Sequence, residues 1–157
     1  MTNTPKFGYI SQYPQYIPTI AQWHQDQWQH ISPHLTTSLR IKEYSAYTNG
    51  PAIPSCILAL IDNQPAGSAS LVTSDMESRP DLTPWLASVY VHPQYRNQGI
   101  ATQLIQSCLS DARQLGVKSV YLFTPDQMSF YQKRGWKLLE SITYHGENVD
   151  IMSYELC

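Results

Sequence analysis

The sequence predicts a mixed α/β layer fold, and three observations carry that expectation. An apolar β-type run ends at Val91, a polar loop follows from His92 to Gln98, and a segment of helical periodicity begins at Gly99. A second apolar run, Val117 to Phe123, comes after that helix, so strand, helix and strand form one crossover, expected to be right-handed. Two further pairs of strand-like runs are each joined by a short polar turn, which predicts antiparallel hairpins.

The elements follow in order. Residues 1–18 are polar, carry Pro5, Pro14 and Pro18, and read as a strand or extended arm and a loop. A helix is expected from Pro18 or Thr19, since proline suits a first turn. Its stripe is Ile20, Trp23, His24, Gln27, Trp28 and Ile31, with Trp23 and Trp28 read as packing residues. Pro33 interrupts that pattern. A second helix spans roughly Leu35 to Thr48, and Asn49-Gly50-Pro51 turns the chain. Strands follow at Ser55 to Asp62 and from Pro65 or Ala66 to Thr73, with Asp62-Asn63-Gln64 as their turn. Ser74 to Pro84 is a polar loop with three acids, and Trp85 to Val91 is the next strand. The long helix buries Ala101, Leu104, Ile105, Cys108, Leu109, Ala112 and Leu115, and Gly116 closes it. After the strand to Phe123, Thr124 predicts an N-cap, with Pro125 at the first helical position and the helix running to about Arg134. Gly135 ends it. Trp136 to Tyr144 and Val149 to Leu156 form a last hairpin around His145-Gly146-Glu147-Asn148.

Composition narrows the function. At 157 residues the chain is expected to be one domain, 1–157. Its formal charge is −2, acids and bases are scattered, and no basic run exceeds Lys133-Arg134. That argues against broad nucleic-acid or membrane affinity. Three cysteines, Cys56, Cys108 and Cys157, form neither a disulfide framework nor a zinc pattern, which suits a reducing, cytoplasmic setting. No leader-like N-terminus and no apolar run approaching 18 residues stands out, so no transmembrane helix is expected. His30 and His34 have i,i+4 spacing, but Pro33 lies between them, and no metal site is expected.

The strand-to-helix joint reads Arg96-x-x-Gly99-x-Ala101. A helix N-terminus offers unpaired N–H groups and the positive end of its dipole, and small residues let backbone approach a ligand. This is an anion site suited to a diphosphate. It is neither a P-loop nor the dinucleotide fingerprint, since the Lys-Ser/Thr pair and the flanking glycines are missing.

The joint resembles the acyl-CoA loop of the GNAT (Gcn5-related) N-acetyltransferases, written Gln/Arg-x-x-Gly-x-Gly/Ala. Downstream, Phe130-Tyr131-Gln132-Lys133-Arg134-Gly135-Trp136 resembles that family's Phe/Leu-Tyr-x-x-x-Gly-Phe segment. The resemblance covers about Ser55 to Leu156, with departures at Ala101, at Trp136, and at Thr124, where the family often has Asn. It implies a central mixed, mostly antiparallel sheet flanked by helices, with residues 1–50 as variable acceptor-side helices and 51–157 as the acyl-CoA core. It implies acetyl-CoA as cosubstrate, no metal, and direct attack by an amine in a ternary complex. The implied partners are a small-molecule amine and, left open, a second copy of the chain as a homodimer.

The same resemblance distributes roles. Tyr131 would protonate the leaving thiolate, a phenol being near a thiol in pKa. Backbone groups of Val89 and Val91 would meet the thioester and pantetheine arm. Amides of Gln98, Gly99, Ala101 and Thr102, with Asn97 alongside, would hold the diphosphate, and Thr124 would lie near the coenzyme. Arg96 would contact phosphate or brace the loop. The general base stays open among Glu43, Asp75, Glu77, Asp81 and a water relayed through Ser88 or Tyr90. Trp28, Glu43 and Asp75 are the acceptor-side candidates. A protein N-terminal or lysine acetyltransferase, or a non-catalytic acyl-CoA sensor, is the alternative.

Overall fold

The computed structural model describes residues 4–48 and 50–156. The elements are β1 (Lys6–Tyr9), α1 (Ile17–Trp28), α2 (Thr37–Ser45), β2 (Ser55–Ile61), β3 (Gln64–Val72), β4 (Trp85–Val91), α3 (Ile100–Gln114), β5 (Ser119–Thr124), α4 (Met128–Gln132), β6 (Lys137–Tyr144) and β7 (Glu147–Glu155). The strands form a seven-stranded sheet in the order β1-β2-β3-β4-β5-β7-β6. Every neighbouring pair is antiparallel except β4 with β5. The mixed, mostly antiparallel sheet is therefore present.

Strand periodicity divides the core into two. Ile57, Ala59 and Ile61 of β2 pack with Leu104, Ile105, Cys108, Leu109 and Ala112 of α3. Cys56 and Leu58, the alternate residues, pack with Ile17, Ile20 and Ala21 of α1 and Tyr44 of α2. The central strands are thus covered on both faces, which is why β2 is buried at every position. No helix among the described residues is long and apolar enough to cross a membrane.

The element boundaries have local causes. Asp62 and Asn63 both take positive φ, 52° and 62°, as a two-residue type I′ hairpin turn requires. His145 and Gly146 do the same at 49° and 80°, so β7 starts at Glu147 and not at Val149. The α2 helix is shorter than expected because Thr36 caps it, its hydroxyl accepting from the Leu39 N–H. Asn49 of the expected turn lies outside the described residues, as does Cys157. Gly116, at φ 77°, ends α3: its N–H donates to Arg113 O and the Val117 N–H to Ala112 O, which keeps Val117 out of β5.

Two expectations are corrected. Leu115 is not on the buried face of α3: it is the C-cap and is 42% exposed. Thr124 does not cap a helix at Pro125; it ends β5, and α4 begins only at Met128 with Gln127 as N-cap. The Thr124 hydroxyl accepts from the N–H groups of Asp126 and Gln127, closing a side-chain turn that competes with helix here.

The feature that makes a site is the parting of β4 from β5. They pair only at Trp85 and Tyr121, with the Tyr121 N–H donating to Pro84 O at 3.0 Å. Upstream of the split, Trp85 is fully buried and its indole N–H is held by Leu82 O. The β3–β4 register slips between Ser68 and Ser70, so Ser88 and Val89 share one partner position, and Ser88 sits at φ 54°. A bulge bends its strand, which turns the far half of β4 away from β5. That half, Ser88 to Val91, is partly exposed along a gap.

Candidate active site

Two cavities open along the split. The first, about 580 Å³, is lined by Val89, Tyr90 and Val91 of β4, by Tyr95, Arg96, Asn97, Gly99, Ile100, Ala101 and Thr102 at the start of α3, and by Phe130, Tyr131 and Arg134. Gly99 caps α3 in the left-handed region at φ 78°, and a Cβ there would meet nothing within 4 Å. Asn97 is also left-handed, at φ 64°. These turns expose the first amides of a fifteen-residue helix to the cavity.

Two arginines stand beside those amides. Arg96 donates from Nε to Val91 O at 2.8 Å and lies 5.8 Å from the Tyr90 ring, so bracing of the loop is one of its roles. Arg134 donates from Nε to the Thr102 hydroxyl and from Nη1 to Phe130 O, with its guanidinium carbon 3.6 Å from the Phe130 ring centroid. It ties α4 to the first turn of α3. Gln98 is exposed and is not among the lining residues.

The second cavity, about 350 Å³, lies between the helical lead-in and β4. Arg40, Glu43, Tyr44 and Tyr47 of α2 and the segment after it line it, with Asp75 from the polar loop and Ser88 from the bulge. Thr124 lines this cavity and not the first. Gln27, Trp28, Val89, Gln127 and Tyr131 belong to both walls, so the cavities meet at the side chain of Tyr131 and the bulged strand.

The acids sort by partner. Asp81 pairs with Arg79, and Glu77 pairs with His145. Both are held at the surface and do not line the cavity. Glu43 accepts from the Tyr47 hydroxyl, at 3.0 Å, on the cavity rim. Asp75 lies deeper: burial, helped by the Glu43 charge and opposed by Arg40, pushes its carboxyl up to about 7. Tyr131 is pushed up to about 12 by burial, so its phenol keeps its proton at neutral pH. Its ring packs edge-on against Phe130 and Trp136.

Beneath the second cavity runs a buried polar chain. His24 is 0% exposed. Its Nδ1 is 2.7 Å from the Tyr44 hydroxyl and its Nε2 is 2.8 Å from Ser68 Oγ. The Ser68 hydroxyl donates to Ser88 O, so Nε2–H donates to Ser68 and Nδ1 accepts from Tyr44. Burial, with Arg40 nearby, depresses His24 to about 3 and keeps it neutral. The chain holds the strained carbonyl of Ser88, whose left-handed backbone costs about 1–2 kcal/mol. Trp28 stacks at an angle on His24 and Tyr90.

Sequence reasoning missed Arg40, His24, Ser68 and Arg134. His24 sat on the apolar helical stripe, and Arg134 lay inside a quoted motif. Arg40 carried no signal, because its burial depends on how α2 packs.

The sheet is thus opened between two strands, with a helix N-terminus facing the gap and a second cavity behind it. Residues 17–136 match the model of the acetyltransferase (GNAT) family, and the chain belongs to that family. Among curated proteins it is 36% identical over 55 residues to an amino-acid acetyltransferase of Edwardsiella ictaluri, covering 35% of this chain and 12% of that one. The chain spans 12 to 16% of the length of the curated relatives it matches. An aminoglycoside 6'-N-acetyltransferase complexed with coenzyme A superposes with a TM-score of 0.77, at 13% identity, covering 97% of both chains. N-acetylglutamate synthase from Neisseria gonorrhoeae, complexed with coenzyme A and N-acetyl-glutamate, gives 0.70 at 15% identity, over 100% of this chain and 36% of that one.

Proposed function

We propose that the chain transfers the acetyl group of acetyl-CoA to the primary amine of a small molecule, by direct attack in a ternary complex. The observation that carries this reading is the meeting of the two cavities at Val89 and Tyr131. The 580 Å³ cavity offers amides and two guanidinium groups to a diphosphate, and the free edge of β4 to an extended amide-bearing arm. The 350 Å³ cavity offers acids to an amine. Residues 51–157 would then form the acyl-CoA core, and the helices within 1–50 the acceptor side.

In the step itself, the amine nitrogen attacks the thioester carbonyl carbon, and the C–S bond breaks. Asp75 accepts the proton lost by the amine, its raised pKa making it a base matched to neutral pH. Backbone N–H donors of the bulged β4, Val89 foremost, face the developing oxyanion. Tyr131 donates its phenolic proton to the departing thiolate. The products are an N-acetyl amine and the free thiol of coenzyme A.

The test is thiol release from acetyl-CoA with a mixed panel of primary amines, alongside the melting temperature with coenzyme A. Release that depends on the amine supports catalysis. A melting shift with no release by any amine would favour an acyl-CoA sensor instead, and no shift and no release would remove both readings.

A further inference from the structure

Arg40 is out of keeping with its surroundings. It is 4% exposed, lines the acceptor cavity, and is the only Lys or Arg among the described residues to do so. Its Nε donates to Gln25 Oε1 at 3.1 Å, and the Tyr44 hydroxyl lies against the same guanidinium. Its Nη2 is buried with no hydrogen-bond partner. Among the described residues no carboxylate lies within ion-pair distance of it. A buried cation lacking a paired anion is costly, and removing either a partner or a solvating shell costs several times what a surface pair gains. Asp75 and Glu43 share the cavity, and Asp75 feels that charge, but burial drives Asp75 toward its neutral form.

We propose that Arg40 receives a carboxylate of the acceptor, so that the acceptor is an amino acid or an amine of the same zwitterionic kind. This rests on the transferase reading above and names its substrate class. The cavity then offers something to both ends of such a molecule: the Glu43 carboxylate and the proton-accepting Asp75 at the amine end, and the Arg40 guanidinium charge for the carboxylate. Arg40 also heads the buried chain. It sits against Tyr44, which donates to His24, which donates to Ser68, which holds Ser88 O at the bulge. A carboxylate seated on Arg40 is therefore registered against the strand that meets the thioester. Asp126 and His30 also line the cavity, and neither offers a fixed positive charge to rival Arg40.

The experiment compares each common α-amino acid with its own α-carboxamide as acceptor, at saturating acetyl-CoA, by thiol release. The best amino acid should exceed its amide in kcat/KM by about ten- to a hundredfold, the size expected of a buried charge-assisted contact. Arg40→Gln should bring that ratio to within about threefold, and Arg40→Lys should keep part of it. A wild-type enzyme that prefers amides or plain amines overturns the inference and leaves acetyl transfer standing. If no acceptor releases thiol, calorimetry with N-acetyl amino acids and their amides, coenzyme A present, decides: tighter carboxylate binding supports the assignment and equal binding overturns it. Should Arg40→Gln not fold, the wild-type ratio alone decides.

Discussion

Asp75→Asn tests the assignment of the base most directly. The substitution keeps the size of the side chain and removes the proton acceptor. Burial pushes the carboxyl up to about 7, so on this assignment about half the molecules carry the ionised base at that pH. Below it, kcat/KM should fall about tenfold per pH unit, reaching about one-hundredth of the plateau near pH 5. The Asn variant should lose about 10²–10⁴-fold on the plateau and lose that acidic limb as well. The assay is thiol release across pH 5 to 9 at saturating acetyl-CoA, with subsaturating acceptor. Stability supplies an independent reading. A carboxyl raised from 3.8 to about 7 binds a proton in the folded state that the unfolded state has lost, so its contribution to stability declines from about pH 4 to 7. Asp75→Asn removes that decline, and urea midpoints of the variant should gain on wild type as pH rises through this window. A variant that keeps its plateau rate within twofold and still titrates near 7 would refute the reasoning and leave the proton to Glu43 or water.

Three further outcomes are expected. Tyr131→Phe keeps the ring packing against Phe130 and Trp136 and should lower kcat by about 10²–10⁴-fold with coenzyme affinity little changed; full kcat in this variant removes the phenol from the mechanism. Gly99→Val adds a branched side chain at φ 78°, where the cavity is open, and should leave a folded protein with strongly weakened coenzyme A binding by calorimetry. His24→Phe should take away the acceptor of the Tyr44 hydroxyl and the donor to Ser68 Oγ, and cost about 2–4 kcal/mol in denaturant unfolding. In wild type the depressed His24 adds stability that is complete above about pH 6.5 and is lost as pH falls toward 3, a slope the Phe variant should lack.

Much of the architecture was legible because it is written locally. Periodicity placed α1, α3 and the central strands within a few residues, and the Arg96-x-x-Gly99-x-Ala101 joint marked the helix N-terminus that now lines the larger cavity. Glycine and turn chemistry act over three or four residues, so Gly116 and Asp62-Asn63 could be read from their neighbours. The α4 boundary was misread for a related reason: Thr124 has one hydroxyl and two competing local motifs, helix cap and side-chain turn, and the strand it ends decided between them.

The site's chemistry was decided elsewhere. Asp75, Glu77 and Asp81 are equivalent as letters in one polar loop. They part only when His145 and Arg79 take two of them at the surface and the third joins Arg40 and Glu43 of α2 on the cavity wall. His24, Tyr44, Ser68 and Ser88 come from four elements, and no spacing along the chain announces their contact. The opening of β4 from β5 follows from a one-residue slip against β3, a property of paired strands that neither strand carries alone. Burial, charge pairing and strand register are sums over the whole packed molecule. The sequence by itself therefore determined the family and the position of the strand-to-helix joint, and only the tertiary structure decided which acid, which cation and which carbonyl come together around the second cavity.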